Sequence, residues 1–236
     1  MKKVVAFTGA GISAESGIAT FRDVDTGLWY NYKVEEVATI EGWKKDKQKV
    51  LDFHNMVRGK LSESQPNAAH IALAELEKTC EVTIITQNID DLHERAGSTN
   101  ILHLHGELTK SRSSKNRNLL YDCTGDINVG DKCELGSQLR PHTVLFGEMP
   151  YNVDESYDAL MECDYFLAIG TSFPISYTLQ LMKVLMNSQP KIYYIDPKPS
   201  ESLEFVVNLP IQYVKKTAVK GVPSTIKKII KEIQKN

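Results

Sequence analysis

Two histidines separated by one residue offer the first chemistry in this sequence. His103 and His105 alternate with Leu102 and Leu104, so an extended strand would turn both imidazoles to one face and both leucines to the other. An imidazole titrates near neutrality and suits a base that takes a proton from a hydroxyl. On spacing alone either histidine is eligible, and a satisfied core histidine is the plain alternative for each.

Upstream, Gln87-Asn88-Ile89-Asp90 follows an apolar run at 82–86. Amide and carboxylate groups placed there can hydrogen-bond ribose hydroxyls, a water or a carboxamide; a polar loop that caps a helix is the simpler reading. The N-terminus supplies a third element. Val4-Val5-Ala6-Phe7-Thr8-Gly9-Ala10-Gly11-Ile12-Ser13-Ala14 reads as a strand running into glycines, with Ala14 in the third small-residue slot of the dinucleotide fingerprint. Glycines let a backbone approach a pyrophosphate, whose charge is met by free N–H groups at a helix start. A tight strand-to-helix turn accounts for the same residues. The acidic residue expected about 20 positions on, at the end of a second strand, is missing. That region reads Phe21-Arg22-Asp23, and Glu35 and Glu36 follow no strand-like run. A reversible hydride-transfer site is therefore poorly supported, and a dinucleotide would be handled another way.

The elements that must carry these residues follow from periodicity. Apolar, β-branched or aromatic runs at 4–8, 82–86, 101–105, 143–146, 165–169, 191–195 and 211–214 read as strands. Helical patterns lie between several of them, at 67–79, 154–162, 176–187 and 223–234, with Pro66 and Pro223 near two of the starts. The alternation predicts an α/β fold, a Rossmann-like doubly wound parallel sheet that binds ligands at the carboxyl ends of its strands. Gly170-Thr171-Ser172 and Asp196 stand at two such ends. Two stretches break the alternation and predict a small inserted module at about 23–64 and 107–140, beside a core at about 1–22, 65–106 and 141–236, the whole 1–236 forming one catalytic unit. The last pattern, Ile226-Lys227-Lys228-Ile229-Ile230-Lys231, is an amphipathic helix with a solvated basic face.

Composition narrows the function classes. The 236 residues are 42% hydrophobic and 25% charged, which suits a packed globular protein. The formal net charge of -2 gives no global field for nucleic acid or anionic lipid, so neither is expected as a partner. No run of about 20 apolar residues predicts a membrane span. Cys80, Cys123, Cys133 and Cys163 form no dense framework, which points to a reducing, cytoplasmic setting.

Taken together and in this order, the motifs resemble the sirtuins, NAD-dependent protein deacylases. The resemblance runs through 9–22, 87–90, His105-Gly106, Phe146-Gly147-Glu148 and Gly170-Thr171-Ser172. It covers nearly the whole chain and is nearest the bacterial branch related to desuccinylases. It implies that NAD is consumed as a co-substrate in a cleft between the Rossmann-like core and the small module. The acyl oxygen of a lysine would attack the nicotinamide ribose, giving nicotinamide, acyl-ADP-ribose and free lysine. It also selects His105 as the base for a ribose hydroxyl, with Asn88 and Asp90 as catalytic companions and Asp90 in the nicotinamide pocket. NAD would be held by Gly9, Ala10, Gly11, Ile12, Ser13, Gln87, Asn88, Asp90, Gly170, Thr171 and Ser172, with Phe21 and Arg22 over it. Asp196, where relatives commonly carry asparagine, would accept from ribose hydroxyls, and Ala218 would border the adenine. Val144, Phe146, Gly147 and Glu148 would receive an acylated peptide as an extended strand, through its backbone.

The resemblance also marks departures. A sirtuin zinc ribbon uses two cysteine pairs, and a structural site of that kind needs four closed ligands. Here Cys123 and Cys133 stand with Ser113-Ser114-Lys115-Asn116 and Glu134-Leu135-Gly136, so the ribbon reads as degenerate and no structural zinc is expected. Ala38 would leave room for a longer acyl chain. His54 and Val57 occupy the positions where the desuccinylase branch pairs tyrosine with arginine, and without that bidentate cation a neutral acyl group is expected over succinyl or malonyl. Mono-ADP-ribosyl transfer to protein, desuccinylation or demalonylation, and a non-catalytic NAD sensor are the alternatives.

Overall fold

The apolar run Val4-Val5-Ala6-Phe7 becomes the centre of a sheet covered on both faces. In the computed structural model, which describes residues 1–18, 32–173 and 176–235, β1 (Lys3–Thr8) pairs in parallel with β2 (Glu81–Thr86) on one side and with the later strand Tyr165–Ile169 on the other. Alternate side chains divide between two layers. Val4 and Ala6 pack with Leu73, Leu76, Val222 and Ile226 beneath one face. Val5 and Phe7 pack with Leu160, Met182 and Leu185 beneath the other. Burial on both faces is why these strands are continuously apolar rather than alternating.

In chain order the elements up to the second strand are β1, α1 (Val34–Val37), α2 (Ile40–Lys45), α3 (Lys47–Glu63), α4 (Ala68–Leu76) and β2. Then come α5 (Leu92–Ala96), β3 (Ile101–His103), β4 (Gly106–Ser113), β5 (Leu120–Asp122), β6 (Leu139–Thr143) and α6 (Val153–Met161). The chain continues with β7 (Tyr165–Ile169), α7 (Ser176–Met182), α8 (Leu185–Ser188), β8 (Lys191–Ile195), α9 (Glu204–Val207), β9 (Ile211–Val214) and α10 (Ala218–Ile233). The parallel sheet runs β3-β2-β1-β7-β8-β9. The chain thus leaves β1 toward one edge and returns at β7 to build the other half, the order of a dinucleotide-binding sheet with its crevice where the direction reverses.

The two stretches that break the alternation lie side by side. Helices α1 to α3 pack on a three-stranded antiparallel sheet, β5-β4-β6, through Trp43, Val50, Leu51, Ile127 and Leu145. Asn55 fastens α3 to this sheet reciprocally, donating from Nδ2 to the Ile127 carbonyl and accepting from the Ile127 N–H, each at 3.0 Å.

Three expected elements are corrected. The strand expected at 143–146 lies instead at β6 and pairs with β4 rather than with the large sheet. Beyond Thr143 the chain crosses to the helical segment, where the Phe146 N–H donates to Ala38 at 2.8 Å and the Phe146 carbonyl accepts from Ile40 at 3.3 Å. The helix expected at 223–234 begins at Ala218 and carries Pro223 inside it. Its stripe Ala218, Gly221, Val222, Thr225, Ile226 and Ile229 is continuous, and Gly221 lies so close to β8 that a Cβ there would meet Ile195 at 2.4 Å. The helix expected at 176–187 is two short helices, α7 and α8.

Candidate active site

The carboxyl ends of β1, β2 and β7 meet at the reversal point. The glycines there are required first by each other: a Cβ on Gly11 would lie 2.6 Å from the Gly170 Cα, and one on Gly9 2.8 Å from the Gly170 oxygen. Gly170 itself has φ +57, a left-handed backbone that favours glycine. The turn after β1 is two single 3₁₀ turns, Ala10–Ile12 and Ala14–Ser16, not an α-helix. Gly9, Gly11, Ile12 and Ser13 donate their N–H groups within the protein. Ala10 is the one residue of that run whose N–H has no protein acceptor among the described residues.

A polar network spans the strand ends. Ser13 donates its hydroxyl to Asp90 at 2.9 Å, while the Asn88 amide donates to the Ser13 hydroxyl at 3.2 Å and to the Gly9 carbonyl at 3.3 Å. Asp90 is buried, and burial raises its carboxyl against the lowering effect of Ser13 and the Leu92 N–H. Thr171 donates to the Gln87 side-chain oxygen at 2.8 Å. Asp196, buried at the end of β8, accepts from the Lys198 N–H at 2.7 Å, and Ser172 is half-buried.

The two histidines separate chemically. His103 donates from Nδ1 to the Asn88 carbonyl at 3.1 Å and from Nε2 to the Glu94 carboxylate at 2.7 Å. Burial lowers its pKa, but the Glu94 carboxylate, with Glu107 and the Asn88 carbonyl, raises it, so the net shift is upward and the cationic form is favoured. Among the described residues His105 contacts no carboxylate. Its Nδ1 lies 2.7 Å from the Gln87 carbonyl and its Nε2 2.7 Å from the Tyr177 hydroxyl, and burial lowers its pKa. A carbonyl only accepts, so Nδ1 carries the proton and Nε2 the lone pair. Of the two, His105 is the one whose pKa is lowered and whose Nε2 faces a hydroxyl rather than a carboxylate.

The residues expected around the substrate divide. Gly147 is exposed, with φ +96, and neither its N–H nor its carbonyl has a protein partner among the described residues. Val144 donates its N–H to the His105 carbonyl at 2.8 Å, which ties this segment to the candidate base. Phe146 is half exposed, but its backbone groups are engaged by Ala38 and Ile40. Glu148 turns its side chain into the module. Its carboxylate bridges Arg112 and Arg140, each at 2.8 Å, and accepts the Leu145 N–H at 2.8 Å. His54 is likewise enclosed, donating to the Val50 carbonyl at 2.8 Å and accepting from the Thr143 hydroxyl at 3.2 Å. Val57 packs against Leu61, Leu92 and Leu108. Ala218 is buried at the start of α10, in the apolar layer that contains Ile12 and Ile195. Phe21 and Arg22 lie outside the described residues.

Where the ribbon would bind metal, the residues do not fit a four-thiolate site. The Ser113 hydroxyl accepts from the Lys115 and Asn116 N–H groups at 3.2 and 3.1 Å and lies 2.6 Å from the Ser137 hydroxyl, which lies 3.0 Å from the Cys133 sulfur. Cys123 donates to the Gly125 carbonyl instead. Among the described residues, the one group of three His, Cys, Asp or Glu side chains within reach of a single ion is Glu94, His103 and Glu107, outside the ribbon.

The comparisons place the chain in a family. The Sir2 family model matches residues 9–176. The chain belongs to the Sir2 family. It is 48% identical over 232 residues to an NAD-dependent protein deacylase of Helicobacter pylori, with 98% of each chain covered. It is 53% identical over 178 residues to one of Vibrio vulnificus, with 72% of each covered. Among solved structures, a Sir2 homologue bound to NAD superposes with a TM-score of 0.87 at 35% identity, over 98% of this chain and 91% of the other. A mutant Sir2 homologue bound to ADP-ribose gives 0.87 at 34%, over 99% and 94%. At the reversal point this Sir2 chain brings together close-set glycines, an Ala10 N–H with no acceptor among the described residues, and the side chains of Ser13, Gln87, Asn88, Asp90, Thr171 and Asp196. Sequence reading missed the Tyr177 contact and the Glu94 clamp on His103. Tyr177 carries no motif, and only the fold brings α7 over the end of β3.

Proposed function

We propose that this Sir2 chain is an NAD-dependent protein lysine deacylase in which His105 is the catalytic base. The observation that carries the assignment is the neutral His105 imidazole, its Nδ1 proton fixed by the Gln87 carbonyl, at the sheet edge where the NAD-binding groups converge. NAD supplies a ribose whose bond to nicotinamide is broken and whose hydroxyl must then lose a proton. His105 takes that proton on Nε2. Asn88, Asp90 and Ser13 form one hydrogen-bonded unit that orients the reacting ribose and the carboxamide. Gln87 and Thr171 hold the ribose side, and Asp196 the adenosine hydroxyls. An acylated peptide adds an extended strand along Gly147, whose backbone edge is open.

A neutral acyl group, acetyl or longer, suits the helix that faces it. His54 is buried and pushed down to about 4 by burial, Val57 is apolar, and Arg58 donates to the Leu108 carbonyl and to Asn55. Among the described residues of this face, the Arg58 guanidinium is turned to those two acceptors, with Nη2 buried and unpaired. Incubation with NAD and acetyl-, octanoyl- or succinyl-lysine peptides should release nicotinamide and free lysine, fastest with a neutral acyl group. His105→Ala should lower deacylation about 10²- to 10⁴-fold. Full activity in His105→Ala would remove His105 as the base, and highest efficiency on succinyl-lysine would overturn the acyl preference.

A further inference from the structure

The atom that the proposed base must use is already occupied. His105 Nε2 holds the lone pair, so the Tyr177 hydroxyl 2.7 Å away is the donor. The two rings meet nearly edge to face, 6.2 Å apart at 79°. Tyr177 stands at the start of α7 and packs on the apolar layer that contains Leu104 and Met182. Burial pushes its phenol far above the ordinary range, so it remains a neutral donor. A ribose hydroxyl approaching Nε2 therefore meets a hydrogen bond that it must replace.

We propose that Tyr177 gates the base: its hydroxyl holds Nε2 until the ribose hydroxyl of NAD displaces it. The inference rests on His105 being the base. No covalent bond changes in this step; one hydrogen bond to Nε2 is exchanged for another. The hydroxyl donates to Nε2 of the neutral imidazole and would accept from it once protonated. Gln87 faces His105 from the end of β2 and Tyr177 from α7. The ionisable groups on the neighbouring elements are Asp90 after β2, His103 on β3 and Glu94 on α5. They are bonded to Ser13 or to one another, and none of them shifts His105, which responds to burial and to the Gln87 carbonyl. Tyr177 is thus a positioning residue that sets how readily the base is exposed.

Tyr177→Phe keeps the packed ring and removes the donor. The expected result is a KM for NAD lower by about 2- to 10-fold, the worth of one net hydrogen bond no longer broken, with kcat within about twofold. The acid limb of kcat/KM should move, since Nε2 loses a partner that interacts unequally with its neutral and protonated forms. A purely structural tyrosine would lower the melting temperature and leave that limb in place. In the wild-type protein, ADP-ribose should shift the ¹³C resonance of labelled Tyr177, a measurement that does not depend on the variant's folding. A raised KM, a kcat reduced more than tenfold at unchanged KM, an unmoved acid limb, or a Tyr177 resonance indifferent to ADP-ribose would each overturn the gate. Those outcomes leave the base assignment standing, which fails separately if His105→Ala deacylates normally.

Discussion

The six-stranded sheet and the inserted module are held together by different means. The sheet is sandwiched between two apolar layers, one with Leu73, Leu76 and Ile226, the other with Phe166, Met182 and Leu185. The module has a smaller apolar cluster around Trp43 and Leu51 and relies on polar ties. Arg112 and Arg140, only 7% and 5% exposed, share the Glu148 carboxylate, and Arg140 also lies over the Trp43 ring at 5.3 Å. A core built by area loses stability gradually as side chains are trimmed. A core built on a few buried charges fails when one partner is removed.

Glu148→Ala tests that contrast with the largest expected effect. Breaking a buried ion pair on one side costs about 3–5 kcal/mol, and here two guanidiniums would be left without their anion. Hydrogen exchange should rise through β4 and β6 and deacylation should fall, while β1, β2 and β7 stay protected and ADP-ribose still binds. Leu73→Ala, at about 2–5 kcal/mol, should instead lower the protection of the whole sheet. Equal loss of protection in both regions in both variants would mean that the two halves unfold as one.

Acid should act on both regions through their histidines. Burial lowers His54, His70 and His142 to about 4, His93 well below its usual value, and His105 as well. The unfolded chain therefore binds protons first, from about pH 6.5 downward, so their stability is present above that pH and is lost as pH falls toward 4. Each contributes a slope of up to about 1.4 kcal/mol per pH unit in that window. His103, raised in the fold, has the opposite sign, and so has Asp90, whose carboxyl burial raises. Five depressed histidines outweigh these two, so denaturant unfolding should give a lower stability at pH 5 than at pH 7. A flat profile would show that the histidines titrate alike in both states. His54→Leu should lessen the slope at the module without touching the sheet.

What the sequence revealed follows the same division. The central strands were legible because each is an unbroken apolar run, and the polar residues at their ends because a buried strand must stop at its ligand edge. Helix α3 escaped notice because Val50, Leu51, Phe53 and Leu61 share its inner face with buried His54 and Arg58, which blurs the period. β6 was misplaced because its Arg140 and His142 are buried, leaving the exposed Phe146 segment as the more strand-like run. The structural role of Glu148 was not legible because nothing in the local sequence announces two arginines that approach from β4 and β6.

The smallest effects bear on the ribbon. Ser137→Ala removes the hydroxyl between Ser113 and Cys133 and should cost about 1 kcal/mol, read as a drop of about 2–4 °C in melting temperature. A chelator should do less still. If hydrogen bonds among Ser113, Ser137 and Cys133 close the ribbon in place of metal, prolonged treatment with a strong zinc chelator should leave the melting temperature and the deacylation rate unchanged. Structural zinc contributes directly to folding wherever it is bound, so one stoichiometric zinc by elemental analysis, or a melting temperature that falls with chelator, would show that the module has a metal ligand set that these three side chains do not supply.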